Sequence, residues 1–414
     1  MSMFQSAEKY LKSLSEEAFG GLCSELVRSI SINPPGDTSA VANRIVKFLV
    51  NHEIRHEVVE AVKGKVNVLA RVGSGDVKLT FNGHIDTVPP GDEEKWDYSP
   101  FSGLIRDGYV HGRGSADMKG GVTALLYTAA ALKRIEDQLN HSFLFSFVCD
   151  EETGGKDGTK YLIENSLLEG EACVIAEPSH YKLFWSVVCG DRGILRLKTK
   201  VYGLAAHGSR PVFGVNAILR AMERIEETLK LENKRVRTPN DAKTIIESSK
   251  KAFERLTSLD PKYGELKKYM DHYTVNVGTI SGGVKVNVVP DECRAEIDIR
   301  IPIGGSADSL LKDVKKIWGE GELEYSIISP SYTSPDKKLV EAVSRSLMEE
   351  GEDFSIICMP ATTDAVEMRM RLGMEVISFG PGELGASHSV NERVSLQQIK
   401  RSAEIYMKTA RNYV

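Results

Sequence analysis

His111-Gly-Arg-Gly-Ser-Ala-Asp-Met-Lys-Gly-Gly121 decides how the chain is read. A strand-like segment, Leu104 to Val110, leads into it, and an apolar helical pattern, Val122 to Leu132, leads out. The stretch is thus a strand-to-helix turn with Asp117 at its centre. In α/β proteins ligands bind beyond the carboxyl ends of the strands. The flanking glycines let the backbone turn sharply and come close to whatever the carboxylate holds. An aspartate in such a turn also serves as an ordinary helix cap, so its meaning depends on the company it keeps.

Working outward, Val77 to Phe81 reads as a strand that runs into Asn82-Gly-His-Ile-Asp-Thr-Val-Pro89. His84 and Asp86 are two apart, which in extended chain puts both on one face. That suits a metal-ligating imidazole steadied by a carboxylate, and equally a structural strand-end pair. Ser142 to Cys149 is apolar on both faces, as in a central strand of a covered sheet. It ends in Asp150-Glu-Glu-Thr-Gly-Gly155. Adjacent carboxylates at the end of a buried strand are costly unless cations neutralise them. The pattern returns at Ala172-Cys-Val-Ile-Ala-Glu-Pro178, and Glu375-Val-Ile-Ser-Phe-Gly-Pro-Gly382 leads to His388.

His84, Asp117, Glu152, Glu177 and His388 therefore form a set, each just beyond a predicted strand or in the loop that follows one. Two histidines and three carboxylates are too many ligands for one tetrahedral zinc. They suit two ions sharing a carboxylate, with Asp117 as the natural bridge. Glu151, beside a ligand and not needed as one, is the natural base for an activated water.

The rest of the composition limits the field. With 414 residues, two domains are expected; 41% hydrophobic and 27% charged residues describe a globular protein with a sizeable core. A net charge of −5 with no basic stripe argues against nucleic acid. No apolar run approaches the roughly 18 residues of a membrane span, and the polar start, Met1 to Gly20, has no signal-peptide core. Six cysteines are scattered with no C-x-x-C pair, several in apolar runs, as for free thiols in a cytoplasmic protein. Residues 5–30 and 38–52 carry helical periodicity around the loop Asn33-Pro-Pro-Gly-Asp37, and Val66 to Val72 reads as a strand.

Gly83-His-Ile-Asp-Thr-Val-Pro, Gly112-Arg-Gly-Ser-Ala-Asp-Met-Lys-Gly-Gly, Asp150-Glu-Glu-Thr-Gly-Gly, Ala176-Glu-Pro and Ser387-His388 together resemble the dinuclear zinc amidohydrolases and metallopeptidases. That family includes acetylornithine deacetylase, succinyl-diaminopimelate desuccinylase, aminoacylase and glutamate carboxypeptidase. The resemblance covers nearly the whole chain in the family's order. It implies an α/β fold, in which a zinc-peptidase-like catalytic domain with a covered, mostly parallel sheet carries an inserted ferredoxin-like lid and dimerisation domain. Asp117 would bridge two divalent ions, zinc or else cobalt or manganese. His84 and Glu177 would complete one site, and Glu152 and His388 the other. Glu151 would be the general base and Asp86 the carboxylate behind His84.

The middle of the chain runs strand (Gly193–Val201), helix (Asn216–Leu231), strand (Tyr273–Ile280), strand (Arg294–Ile301), helix (Ser306–Trp318) and strand (Glu322–Ile328). This is a ferredoxin-like order. The expected division is residues 1–189 and 331–414 for the catalytic domain and 190–330 for the insertion. The resemblance implies that His207, in Gly203-Leu-Ala-Ala-His-Gly-Ser-Arg-Pro211, supplies an oxyanion donor to a partner's site in a homodimer. It also implies that Asn287 and Arg300 grip the substrate. Two departures stand out: a long charged stretch, residues 231–270, read as an extra helical elaboration, and Ala361-Thr362 where many relatives have glycines.

The expected reaction is hydrolysis of the amide bond of an N-acyl amino acid by a metal-bridging hydroxide. Alternatives are a di- or tripeptidase, a carboxypeptidase, or a metal-holding scaffold without catalysis. Retention of Glu151, which a scaffold does not need, speaks against the last.

Overall fold

The computed structural model describes residues 3–319 and 321–414; Met1 and Ser2, the tip of the polar start, lie outside it. The chain forms two compact units. One comprises Met1–Cys189, Thr333–Ile357 and Thr363–Val414, the other Gly190–Tyr332 and Cys358–Thr362.

The larger unit is built on a sheet whose four middle strands, Ser142–Val148, Val77–His84, Ala172–Ile175 and Glu375–Ser378, run parallel in that spatial order. Antiparallel strands flank them: Lys65–Gly73 and then Arg55–Val62 on one side, Phe184–Asp191 on the other. Ser142–Val148 is buried along its whole length, as a continuous apolar run in a covered sheet should be. The register aligns the strand ends. His84 sits opposite Val148, Asn82 opposite Ile175, and Ser378 opposite Ile175. One edge of the sheet thus delivers His84, the Asp150 loop, Glu177 and the loop that follows Ser378.

Gly120–Lys133 is buried on nearly every side, so it carries little amphipathic pattern. It packs against Leu396–Tyr413, the long closing helix, which also packs against Lys338–Glu349.

Three details differ from the reading of the sequence. Leu104 to Val110 is not one strand but a hairpin, Leu104–Arg106 and Tyr109–His111. Its turn, Asp107-Gly108, has φ of 52° and 78°, the positive pair a tight hairpin turn requires. The helical span 5–30 is two helices, Phe4–Ser13 and Glu16–Arg28, because Leu14 goes extended and Ser15 opens the second with Glu16 and Glu17 in its first turn. Arg55–Val62 is an additional strand; it lies at the sheet edge with none of its residues buried, so its charges hide the pattern.

In the smaller unit four antiparallel strands lie in the order Thr274–Gly282, Glu292–Ile301, Gly193–Tyr202, Glu322–Ile328. Helices Ala217–Leu229 and Ala307–Trp318 complete the ferredoxin-like arrangement. Alternate residues of Glu292–Ile301, from Cys293 to Ile301, face the core, the period-two signature of a sheet covered on one face. The stretch 231–270 holds the helix Lys243–Leu256, which buries Ile245, Ile246, Phe253 and Leu256. Its neck is closed by Asp271, whose carboxylate meets Lys250 at 2.9 Å and Arg235 at 3.1 Å.

Candidate metal centre

Five of the residues singled out in the sequence converge at the strand ends. His84 Nε2 lies 2.9 Å from Asp117 Oδ1 and 3.8 Å from Glu177 Oε1. His388 Nε2 lies 3.3 Å from Asp117 Oδ2 and 3.2 Å from Glu152 Oε2. The two oxygens of Asp117 thus face two different histidines, each with its own glutamate. One donor atom from each of His84, Asp117 and Glu152 fits within a sphere of contacts no wider than 4.8 Å.

The electrostatics of the cluster are set by burial. Burial pushes Glu177 up to about 8, with the negative charge of Asp117 adding to it and His84 opposing. Glu151 is likewise raised well above its ordinary value by burial and by Glu177, Asp364 and Glu152, against the pull of His84. For His84, burial disfavours the charged ring, yet Asp117, Asp86 and Glu177 outweigh it and raise its pKa well above normal. His388, half exposed, is raised to about 10 by Asp117 and Glu152. Crowded carboxylates paired with imidazoles are an N/O donor set that divalent cations satisfy. The residues present fit such ions.

Asp86 is fully buried beneath the cluster. His84 Nδ1 faces the Asp86 backbone carbonyl at 3.1 Å and its carboxylate at 3.5 Å. The carboxylate itself accepts hydrogen bonds from the backbone amides of Glu151 and Glu152, each at 3.2 Å, and from Asn33 Nδ2 at 2.8 Å. Asp86 therefore orients the loop that carries Glu151 and Glu152 as much as it steadies the imidazole.

His207, Asn287 and Arg300 belong to the smaller unit. His207 is exposed, and its Nδ1 accepts the backbone N–H of Ser209 at 3.2 Å. That bond assigns the ring proton to Nε2, leaving an outward donor. Gly208 N donates to Asn287 O at 2.7 Å, and a Cβ at Gly208 would stand 2.8 Å from the Asn287 carbonyl carbon. The close approach ties the His207 and Asn287 loops together. Arg300 holds Asp298 through Nε at 2.7 Å and Nη2 at 3.3 Å.

A profile of the family described as "Peptidase family M20/M25/M40" matches residues 80–412. The chain belongs to that family. The M20 chain is 28% identical over 408 residues to a succinyl-diaminopimelate desuccinylase of Paracoccus denitrificans, covering 95% of this chain and 97% of the relative. In fold it is similar to an M20 metallo-carboxypeptidase of Sulfolobus solfataricus (TM-score 0.78, 20% identity, 94% of this chain and 98% of the other). It is also similar to a tripeptidase of Staphylococcus aureus (TM-score 0.73, 20% identity, 96% and 98%). Membership makes this a hydrolytic enzyme that acts on amide bonds and binds divalent metal. Among the described residues no helix is long and apolar enough to cross a membrane.

Four residues around this M20 centre are not singled out by the sequence. Asn33 bonds Asp86, and at 3.1 Å also Asp150 Oδ1 and Thr153 Oγ1. Lys65 meets Asp150 at 2.6 Å, and both are buried. On the other side, buried Arg113 pairs with buried Glu392. Burial and the charge of Asp117 push the Glu392 carboxyl up to about 7, Arg113 opposing. Only Asn33 has a hint, its place at the head of a Pro-Pro-Gly loop.

Proposed function

We propose that the protein hydrolyses the amide bond of an N-acyl amino acid, with two divalent ions, zinc being the first choice, held by His84, Asp117, Glu152, Glu177 and His388. The observation that carries this reading is the division of Asp117, one oxygen to His84 and the other to His388. Likeness to a desuccinylase along nearly the whole length supports an N-acyl amino acid as substrate. When bound, the ions lower the pKa of water and polarise the scissile carbonyl.

The chain's own residues supply the rest. Glu151, crowded by carboxylates, takes a proton from the attacking water and passes it to the leaving amine. Asp86 and Asn33 fix the loop from which Glu151 acts. His207, with its proton on Nε2, donates to the developing oxyanion. Asn287 and Arg300 orient the substrate, Arg300 by turning its fork from Asp298 to a substrate carboxylate.

The active form on this reading is a homodimer made through the smaller unit. Support comes from exposed apolar side chains there, Val286 at 100%, Val284 at 87%, Val212 at 84% and Phe213 at 70%, which is more than scattered surface residues account for. Thr274–Gly282 is an unpaired sheet edge in the same unit. Six buried free cysteines support a reducing, cytoplasmic setting.

The test is a substrate panel on zinc-loaded protein: N-succinyl and N-acetyl amino acids against di- and tripeptides. The highest kcat/KM is expected on an N-acyl amino acid. Turnover confined to peptides would replace this reading with a peptidase, and no turnover with metal bound would favour a binding scaffold.

A further inference from the structure

The ligands of the centre sit on segments far apart in sequence, and something must hold them in register. On one side the sheet does so, since His84 and Glu177 follow neighbouring parallel strands. Asp117 and His388 have no such support. Asp117 lies in the irregular turn Ser115–Lys119, and His388 lies in a loop with φ of 60° and half of its side chain exposed.

One buried side chain reaches both. Glu392 is 1% exposed. Its Oε1 accepts the backbone amides of Ala116 at 2.9 Å and Asp117 at 3.0 Å. Its Oε2 pairs with Arg113 Nη1, and Arg113 Nη2 donates to the His388 backbone carbonyl at 3.3 Å. The Glu392 carbonyl in turn accepts the amide of Gly112 at 2.9 Å. The carboxylate thus takes three donors, two amides of the Asp117 turn and the guanidinium of Arg113 just before it. A buried acceptor whose oxygens are all hydrogen-bonded is stiff, because in low dielectric each bond strengthens the others and none is replaced by water.

We propose that Glu392, acting through Arg113, is a positioning residue that yokes the Asp117 turn to the His388 loop and so sets the affinity of the ion on the His388 side. This rests on the ligand reading given above. Partners of this kind, one bond behind the ligands, typically govern metal affinity by about 10–100-fold. Glu392 also holds Asp117, which both ions share, so the other ion should weaken as well, but by less, since the sheet fixes its remaining ligands.

The experiment titrates metal-free protein with Zn2+ by calorimetry in the presence of a competing chelator, alongside the thermal midpoint of the metal-free form. Four proteins are compared: wild type, His388→Ala, Glu392→Ala and Glu392→Gln. His388→Ala identifies the ion on its own side by the step it loses. In Glu392→Ala that same step should weaken about 10–100-fold and the other by clearly less. Glu392→Gln keeps the oxygen facing the two amides but not the charge facing Arg113, so it should show the same asymmetry in smaller degree. It is read in place of the alanine variant if that variant does not fold. Unchanged affinities, or equal weakening of both steps in proportion to a lowered thermal midpoint, would overturn the yoke and leave Glu392 a structural residue. If His388→Ala changes neither step, the ligand reading itself falls and this inference with it.

Discussion

At the scale of single residues, Glu151 separates binding from chemistry. Its amide is fixed by Asp86, so the loop keeps its place when the carboxyl is replaced. Glu151→Gln, loaded with zinc, should hold as much metal as zinc-loaded wild type by elemental analysis, while kcat falls about 10²–10⁴-fold; loss of metal in parallel would assign it to the ligand set instead. The five residues proposed as ligands stand out in the sequence for a simple reason. His84, Glu152 and Glu177 are charged or imidazole side chains at the ends of apolar runs, where burial without a partner is costly, and Asp117 and His388 fall in glycine-flanked or strand-following loops that complete the set. Asn33, Lys65, Arg113 and Glu392 do not stand out. Their bonds join positions 117, 85 and 279 residues apart, and only the folded chain shows that they meet. Arg113 even lies within a motif that the resemblance uses, yet nothing local distinguishes a buried ion pair from a solvated one.

At the scale of elements, the helix Gly120–Lys133 starts against the end of the strand Ala172–Ile175. A Cβ on Gly121 would come within 2.1 Å of the Ala176 carbonyl oxygen, a backbone atom that has little freedom to move. Gly121→Ala should therefore push the Asp117 turn away from Glu177. The expected cost is about 1–3 kcal/mol of stability, together with weakened zinc binding; urea titration and chelator competition measure the two. In the smaller unit Asp271 plays a comparable part. It closes the neck of the 231–270 elaboration with Lys250, Arg235 and His272. Burial raises its pKa, but the bonds from Lys250 and His272 win, and the net shift is downward. A carboxyl depressed in the folded state stabilises fully above its unfolded value near 4 and loses that contribution as pH falls below it. Asp271→Asn should cost about 2 kcal/mol at pH 7, and the gap from wild type should narrow when urea midpoints are repeated at about pH 3.5. The elaboration reads as helical in the sequence from the spacing around Ala252-Phe-Glu-Arg-Leu256, and the helix there also buries Ile245 and Ile246. The hairpin at Leu104–His111 escapes a periodicity reading, since two three-residue strands and a two-residue turn are shorter than any window that defines a period.

At the scale of the whole molecule, the homodimer proposal makes a demand on mixed species. A Glu151→Gln chain retains His207, and a His207→Ala chain retains Glu151. If His207 serves the neighbouring subunit, one site of each heterodimer regains both residues from different chains. Mixing two nearly inactive homodimers should then restore a fraction of wild-type turnover once subunit exchange is verified by mass spectrometry. No recovery would confine His207 to its own subunit or remove it from the reaction.

The larger unit is discontinuous in sequence, and its closing helix, Leu396–Tyr413, is the last element of the chain. On a ribosome, residues His84 to Glu177 emerge long before His388, with the whole smaller unit translated in between. On the ligand set proposed, the sheet-supported part of the centre is available to a nascent chain early, whereas His388 and Glu392 follow only after the whole smaller unit. Translation order alone would keep a growing polypeptide from cutting amides until the segment around His388 has emerged.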